Sequence, residues 1–167
     1  MPLDDRRVER FVPTLAGRPS LMWGRTSVTL YPGMSAMLEN ATLDIKNRSH
    51  TITAEIEVPR GGGEGVIIAQ GGRFAGWTLY MKDGKLKYCY NWLDRDRYTV
   101  ESKDPLPAGK ATVKLDFKYD GGGLGKGGTA VLYVNGQKVG ECRIDKTQAF
   151  VFSADETEDV GEDLERP

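Results

Sequence analysis

Two dipeptides, Asp83-Gly84 and Asn135-Gly136, constrain this chain more than any other feature. Each stands between two short runs rich in β-branched and aromatic residues. Asp-Gly and Asn-Gly supply the positive φ angles of a type I′ turn, whose twist matches that of two paired antiparallel strands. The spacing therefore predicts two hairpins, Gly76–Lys82 with Lys85–Trp92, and 129–134 with Gln137–Ile144.

The rest of the chain carries the same two-residue period. His50, Ile52, Ala54, Ile56 and Val58 fall on one face of a strand, with Thr51, Thr53, Glu55 and Glu57 on the other. Val113, Leu115, Phe117 and Tyr119 alternate with Lys114, Asp116 and Lys118 within 110–119. Further strands are predicted at 27–31, 65–70, 97–101 and 149–152. The 21 glycines lie between apolar segments and punctuate turns. Many short strands, Gly-rich turns and no long helical pattern predict an all-β antiparallel sandwich. One domain fits 167 residues. The organisation read from composition is an N-terminal arm over 1–26 with one helical turn at 6–11, a sandwich over 27–153, and a solvated acidic tail over 154–167.

Charge narrows the partners. Twenty-three basic and 24 acidic residues give a net charge of -1, which offers no surplus to neutralise a polyanion, so nucleic acid is not an expected partner. No apolar run reaches bilayer length. The N-terminus lacks the apolar stretch of a secretory leader, which gives a cytoplasmic expectation for the chain as written. Cys89 and Cys142 lie inside strand-like segments and read as small buried thiols. With a single histidine they build no metal-ligand spacing, so no metal and no cofactor is expected.

Several patterns imitate chemistry. Residues 123–128 satisfy G-x-G-x-x-G, but a dinucleotide site needs a helix N-terminus after the glycines, and a β-branched run follows here. Glu55 and Glu57 share a strand face as glycosidase carboxylates can, although nothing else in the sequence frames a sugar-cleaving pair, and solvated surface charges explain them. His50 begins an apolar stripe and has no nucleophile motif beside it, so a structural place at a strand end is expected. The acidic tail lacks the spacing and central glycine of a calcium loop. The stripe Leu86, Tyr88, Tyr90, Trp92, with Trp77 across the turn, has two readings. Its rings fill the core between sheets, or Trp77, Tyr90 and Trp92 stack on sugar faces as a carbohydrate-binding site.

Longer phrases carry a resemblance. Pro2-Leu3-Asp4-Asp5-Arg6, Glu9-Arg10-Phe11 and Leu15-Ala16-Gly17-Arg18-Pro19 resemble the junction that follows the catalytic domain of bacterial arylsulfatases. The likeness continues through Thr53-Ala54-Glu55-Ile56-Glu57-Val58-Pro59, residues 65–74, Gly76-Trp77, Leu79-Tyr80, residues 86–91, the loop 119–128 and residues 152–157. It covers nearly the whole chain. The resemblance implies a concanavalin A-like, laminin-G-like sandwich (a jelly roll) appended to a sulfatase catalytic domain as a non-catalytic accessory domain. That catalytic domain is the implied partner. Formylglycine and calcium are implied only there, because neither cysteine here lies in C/S-x-P-x-R. A carbohydrate-binding, lectin-like module is the alternative. Glu158 departs from the pattern, standing where the family tends to carry an apolar or small residue. The family also tends to add a final strand beyond the acidic segment. Its absence from these 167 residues predicts an open sheet edge and self-association through it.

Overall fold

The computed structural model describes residues 21–153 and 156–161. Among the described residues nine strands build two antiparallel sheets: β1 (His50–Val58), β2 (Gly65–Gly71), β3 (Gly76–Lys82), β4 (Lys85–Trp92), β5 (Asp96–Glu101), β6 (Gly109–Tyr119), β7 (Gly128–Val134), β8 (Gln137–Ile144) and β9 (Glu158–Val160). One sheet has the order β5-β4-β3-β2-β9 and the other β1-β6-β7-β8. A 3-10 turn at Glu39–Ala41 is the only helical element among the described residues.

Both predicted hairpins form. β3 pairs with β4 through Trp77 opposite Tyr90, Leu79 opposite Tyr88 and Met81 opposite Leu86. Asp83 and Gly84 take φ of 55° and 71°, and Asn135 and Gly136 take 49° and 80°, the left-handed values a type I′ turn requires. The interior is the sum of the inward faces. Trp77, Leu79, Met81, Leu86, Tyr88, Tyr90 and Val100 come from one sheet, and Ala111, Val113, Leu115, Phe117, Ala130, Leu132 and Ile144 from the other. Leu79, Leu86, Leu115 and Leu132 are completely buried, each contributing about 2 kcal/mol of transfer free energy. Gly140 marks where the two sheets meet at one side, since a Cβ there would lie 2.7 Å from the Glu101 carbonyl oxygen and 2.8 Å from Val100 Cγ2.

Three expectations change. Residues 27–31 form no strand, because they find no partner. Residues 149–152 also stay irregular, held instead by side chains: the Asn47 amide donates to the Ala149 carbonyl at 2.7 Å, and Phe152 N–H donates to Glu39 Oε2 at 2.8 Å. The stretch read as a solvated acidic tail contains β9, paired to β2 through Ile68–Val160, Ala69–Asp159 and Gln70–Glu158. β2 is therefore not an edge strand. β9 is covered in turn by residues 33–37: Gly33 N–H donates to the Val160 carbonyl at 3.0 Å, and Glu158 and Met37 exchange both backbone bonds at 2.8 and 3.2 Å. Most of the N-terminal arm, the expected helical turn at 6–11, and residues 154–155 and 162–167 of the tail lie outside the described residues. Among the described residues no helix is long and apolar enough to cross a membrane.

Candidate functional site

The aromatic residues singled out in the sequence divide between core and surface. Trp77 is 5% exposed, its indole N–H donates to Gln70 Oε1 at 3.1 Å, and its ring packs on Tyr88 with centroids 6.5 Å apart. Tyr90 is also 5% exposed. Its hydroxyl accepts the Gln148 backbone N–H at 2.7 Å, its ring meets the Phe152 ring edge-on, and burial pushes its phenol pKa well above the ordinary value. The cavity these rings border, with His50, Lys46, Asn47 and Phe117, has a volume of about 10 Å³. That admits roughly one water and no sugar ring. Neither Trp77 nor Tyr90 presents a stacking face to solvent, because the inward face of β3 and β4 is the core itself.

Trp92 differs. It ends β4, is half-buried, and carries the Lys146 ammonium 4.7 Å above its ring, a cation–π contact. Lys146 also reaches Asp96 at 3.8 Å. Around Trp92 the sandwich ends in the loops 72–75 and 93–95. Asn91 ties them together: its buried side-chain amide donates to the Gly72 and Arg73 carbonyls at 2.9 and 2.8 Å, and its oxygen accepts the Asp94 N–H at 3.1 Å. On these loops Phe74 is 69% exposed and Leu93 43%. Leu93 and Asp94 both take positive φ, 56° and 54°, a conformation that costs a leucine about 1 kcal/mol. Arg73 and Arg95 carry no ion pair among the described residues, whereas Arg97 binds Asp94 at 2.9 Å. An exposed ring, an exposed leucine in a strained turn and two guanidinium groups without an ion pair among the described residues make this end one candidate recognition surface. Phe74, Leu93 and Asn91 carry no sequence signal of their own, since only the apposition of two loops gives them a role.

The other sequence candidates stay apart from it. Glu55 and Glu57 point outward from β1, exposed, on a sheet-edge strand that pairs only with β6. Gly128 of the glycine run begins β7, and residues 123–127 lie in the loop between β6 and β7, fastened by Tyr119. That hydroxyl donates to the Gly123 carbonyl at 2.7 Å and accepts the Lys126 N–H at 2.8 Å. Strand β7 follows it directly, with no helix N-terminus to receive a phosphate. His50 packs on Phe117 with centroids 5.2 Å apart. Its Nδ1 contacts the Arg48 carbonyl at 3.3 Å, its Nε2 has no partner among the described residues, and desolvation lowers its pKa. Cys89 and Cys142 are free thiols, and burial pushes Cys142 up to about 11. Among the described residues no group of three or more His, Cys, Asp or Glu side chains is placed to hold a metal ion. At the opposite end of the β5-containing sheet a shallow groove of about 770 Å³ runs between residues 102–107 and the β7–β8 hairpin.

No family model and no curated protein matches the sequence. Solved structures do. Domains LG4-5 of the mouse laminin alpha1 chain superpose with a TM-score of 0.55 at 16% identity, over 84% of this chain and 39% of that one. The fold is a laminin-G-like β-sandwich. Its class, the concanavalin A-like jelly roll, is the one expected from the sequence. A native heptameric pentraxin from Limulus polyphemus aligns over 72% of this chain and 66% of its own, at 15% identity and a TM-score of 0.33, too low to carry an argument. The chain spans less than half the length of the laminin structure and just under two thirds of the pentraxin.

Proposed function

We propose that this sandwich is a non-catalytic accessory domain of an arylsulfatase-type hydrolase, held against its catalytic domain by the segment 21–38. One observation carries the reading. Directly after the stretch that resembles the sulfatase interdomain junction, Leu21, Trp23, Tyr31 and Leu38 stand 81, 56, 66 and 56% exposed. Large apolar side chains gathered on one exposed segment mark an interaction surface. The segment is not loose. Its residues 33–37 are hydrogen-bonded to β9, which holds the stretch between Tyr31 and Leu38 against the sandwich. The sulfatase-like phrases also fall on the parts that build the fold, including β2, β3, β4 and the approach to β9.

The test uses the purified chain with a bacterial arylsulfatase truncated before its C-terminal domain. Association is expected, with a blue shift of tryptophan fluorescence as Trp23 is covered, and it is lost in the Trp23→Asp, Tyr31→Asp double variant. The chain alone is expected to hydrolyse no aryl sulfate. Turnover by the chain alone, or a failure to associate, contradicts the proposal.

A second reading, a carbohydrate-binding module, is favoured by the surface around Trp92. An aromatic ring beside Lys146, with Phe74 and two arginines without an ion pair among the described residues on adjoining loops, is suited to an anionic sugar. This reading requires saturable tryptophan quenching by sulfated glycans that Trp92→Ala abolishes. A flat titration across sulfated and neutral glycans removes it.

A further inference from the structure

Four carboxyl groups, those of Glu158, Asp159, Glu39 and Asp44, and one ammonium, that of Lys46, are gathered where β9 meets the sheet. Glu158, on β9, is 4% exposed. Its Oε2 accepts the Gln70 amide from β2 at 2.8 Å, and that amide also donates to Thr42 Oγ1 at 3.1 Å. Gln70 is anchored from β3 by the Trp77 indole. Asp159, its neighbour on β9, is 1% exposed and accepts the Ala36 N–H at 2.7 Å. From the segment 39–46 come Glu39, Asp44 and Lys46. The nearby cation is already engaged: Lys46 is ion-paired with Glu39, and with Asp44 at 2.8 Å. The stretch 33–37 contributes only backbone groups, through Met37 and its neighbours.

An ionised Glu158 would thus be a buried charge with two like charges close by and a cation committed elsewhere. Such a charge is costly unless paired. The element that carries it is weak, because β9 is three residues long with three register pairs to β2. We propose that β9 is a protonation-operated latch: a neutral Glu158 carboxyl keeps it on β2, and ionisation frees residues 157–161 from the sheet edge. Segment 33–37 loses its partner in the same event, and β2 presents an unpaired edge. The direction of titration agrees. Burial first, then Asp159 and Glu39, push the Glu158 pKa up to about 7, with the Thr42 hydroxyl and Lys46 acting against them.

The test is amide exchange by NMR at pH 5 and pH 8, expressed as protection relative to intrinsic rates. The reporters are Gly71 N–H to Thr157 O, Gly161 N–H to Ile67 O and Val160 N–H to Met34 O. Their protection is expected to fall on the order of fifty-fold at pH 8, while Leu79 and Tyr88 in the β3–β4 ladder hold theirs. Glu158→Gln is expected to remove the pH dependence. Lys46→Met, which strips away the nearby cation, is expected to move the transition to higher pH. Equal protection at both pH values, an unchanged fall in Glu158→Gln, or a parallel loss at Leu79 and Tyr88 overturns the latch.

Discussion

Leu93 shows how a single residue can reveal a use that composition hides. A leucine at a φ of 56° is strained, and being 43% exposed it recovers little of that cost by burial. Leu93→Asn, which tolerates the left-handed region, is expected to raise stability by about 0.5–1 kcal/mol in denaturant titration. Unchanged or lowered stability would mean the turn is held by contacts of the leucine. Glu158 sets a second expectation at this scale, in the pH dependence of folding. A carboxyl whose pKa is raised in the folded state binds its proton more tightly there than in the unfolded chain. Its contribution is therefore fully present below about pH 4.5, declines as pH rises, and is gone above about 7. The difference is worth about 3 kcal/mol. His50 acts with the opposite sign. Its pKa is lowered by burial, so it subtracts stability as pH falls below 6.5. The informative quantity is thus the gap between wild type and Glu158→Gln. The variant is expected to melt several degrees higher at pH 8 and near the wild-type temperature at pH 5.

At the scale of elements, legibility followed the source of each strand's definition. β3, β4, β6 and the β7–β8 hairpin are written in local alternation and turn chemistry, and the structure places them within a residue of the reading. Residues 27–31 have suitable strand composition and no partner, while β9 has an acidic composition and a partner in β2. Tertiary pairing overrides propensity in both cases. The inward stripe of β3 and β4 has a related ambiguity. Alternation groups Trp77, Tyr88 and Tyr90 on one face without saying whether that face meets water or a second sheet. The second sheet is there, so Trp77 and Tyr90 are core and only Trp92, at the strand end, reaches the surface. The hairpins themselves offer a direct check. Gly136, at a φ of 80°, is expected not to tolerate a β-branched side chain. Gly136→Val should cost about 1–2 kcal/mol and raise amide exchange selectively along β7 and β8. A neutral result would show that the turn does not set that register.

For the whole molecule, one sandwich carries two unlike surfaces. Segment 21–38 offers apolar groups beside the β9 edge, and the loops around Trp92 offer a ring, a strained leucine and guanidinium groups without an ion pair among the described residues. The second surface is hidden in the sequence, because it is assembled from the separate loops 72–75 and 93–95, and the first shows its exposure only once β9 fastens residues 33–37. The central claim, that segment 21–38 docks the sandwich on a sulfatase catalytic domain, is tested most directly by hydroxyl-radical footprinting of the chain with a truncated bacterial arylsulfatase. Trp23, Tyr31 and Met34 are expected to be shielded, with Phe74 and Leu93 oxidised as in the free chain. Shielding confined to Phe74, Leu93 and Trp92, or no shielding at all, would contradict it.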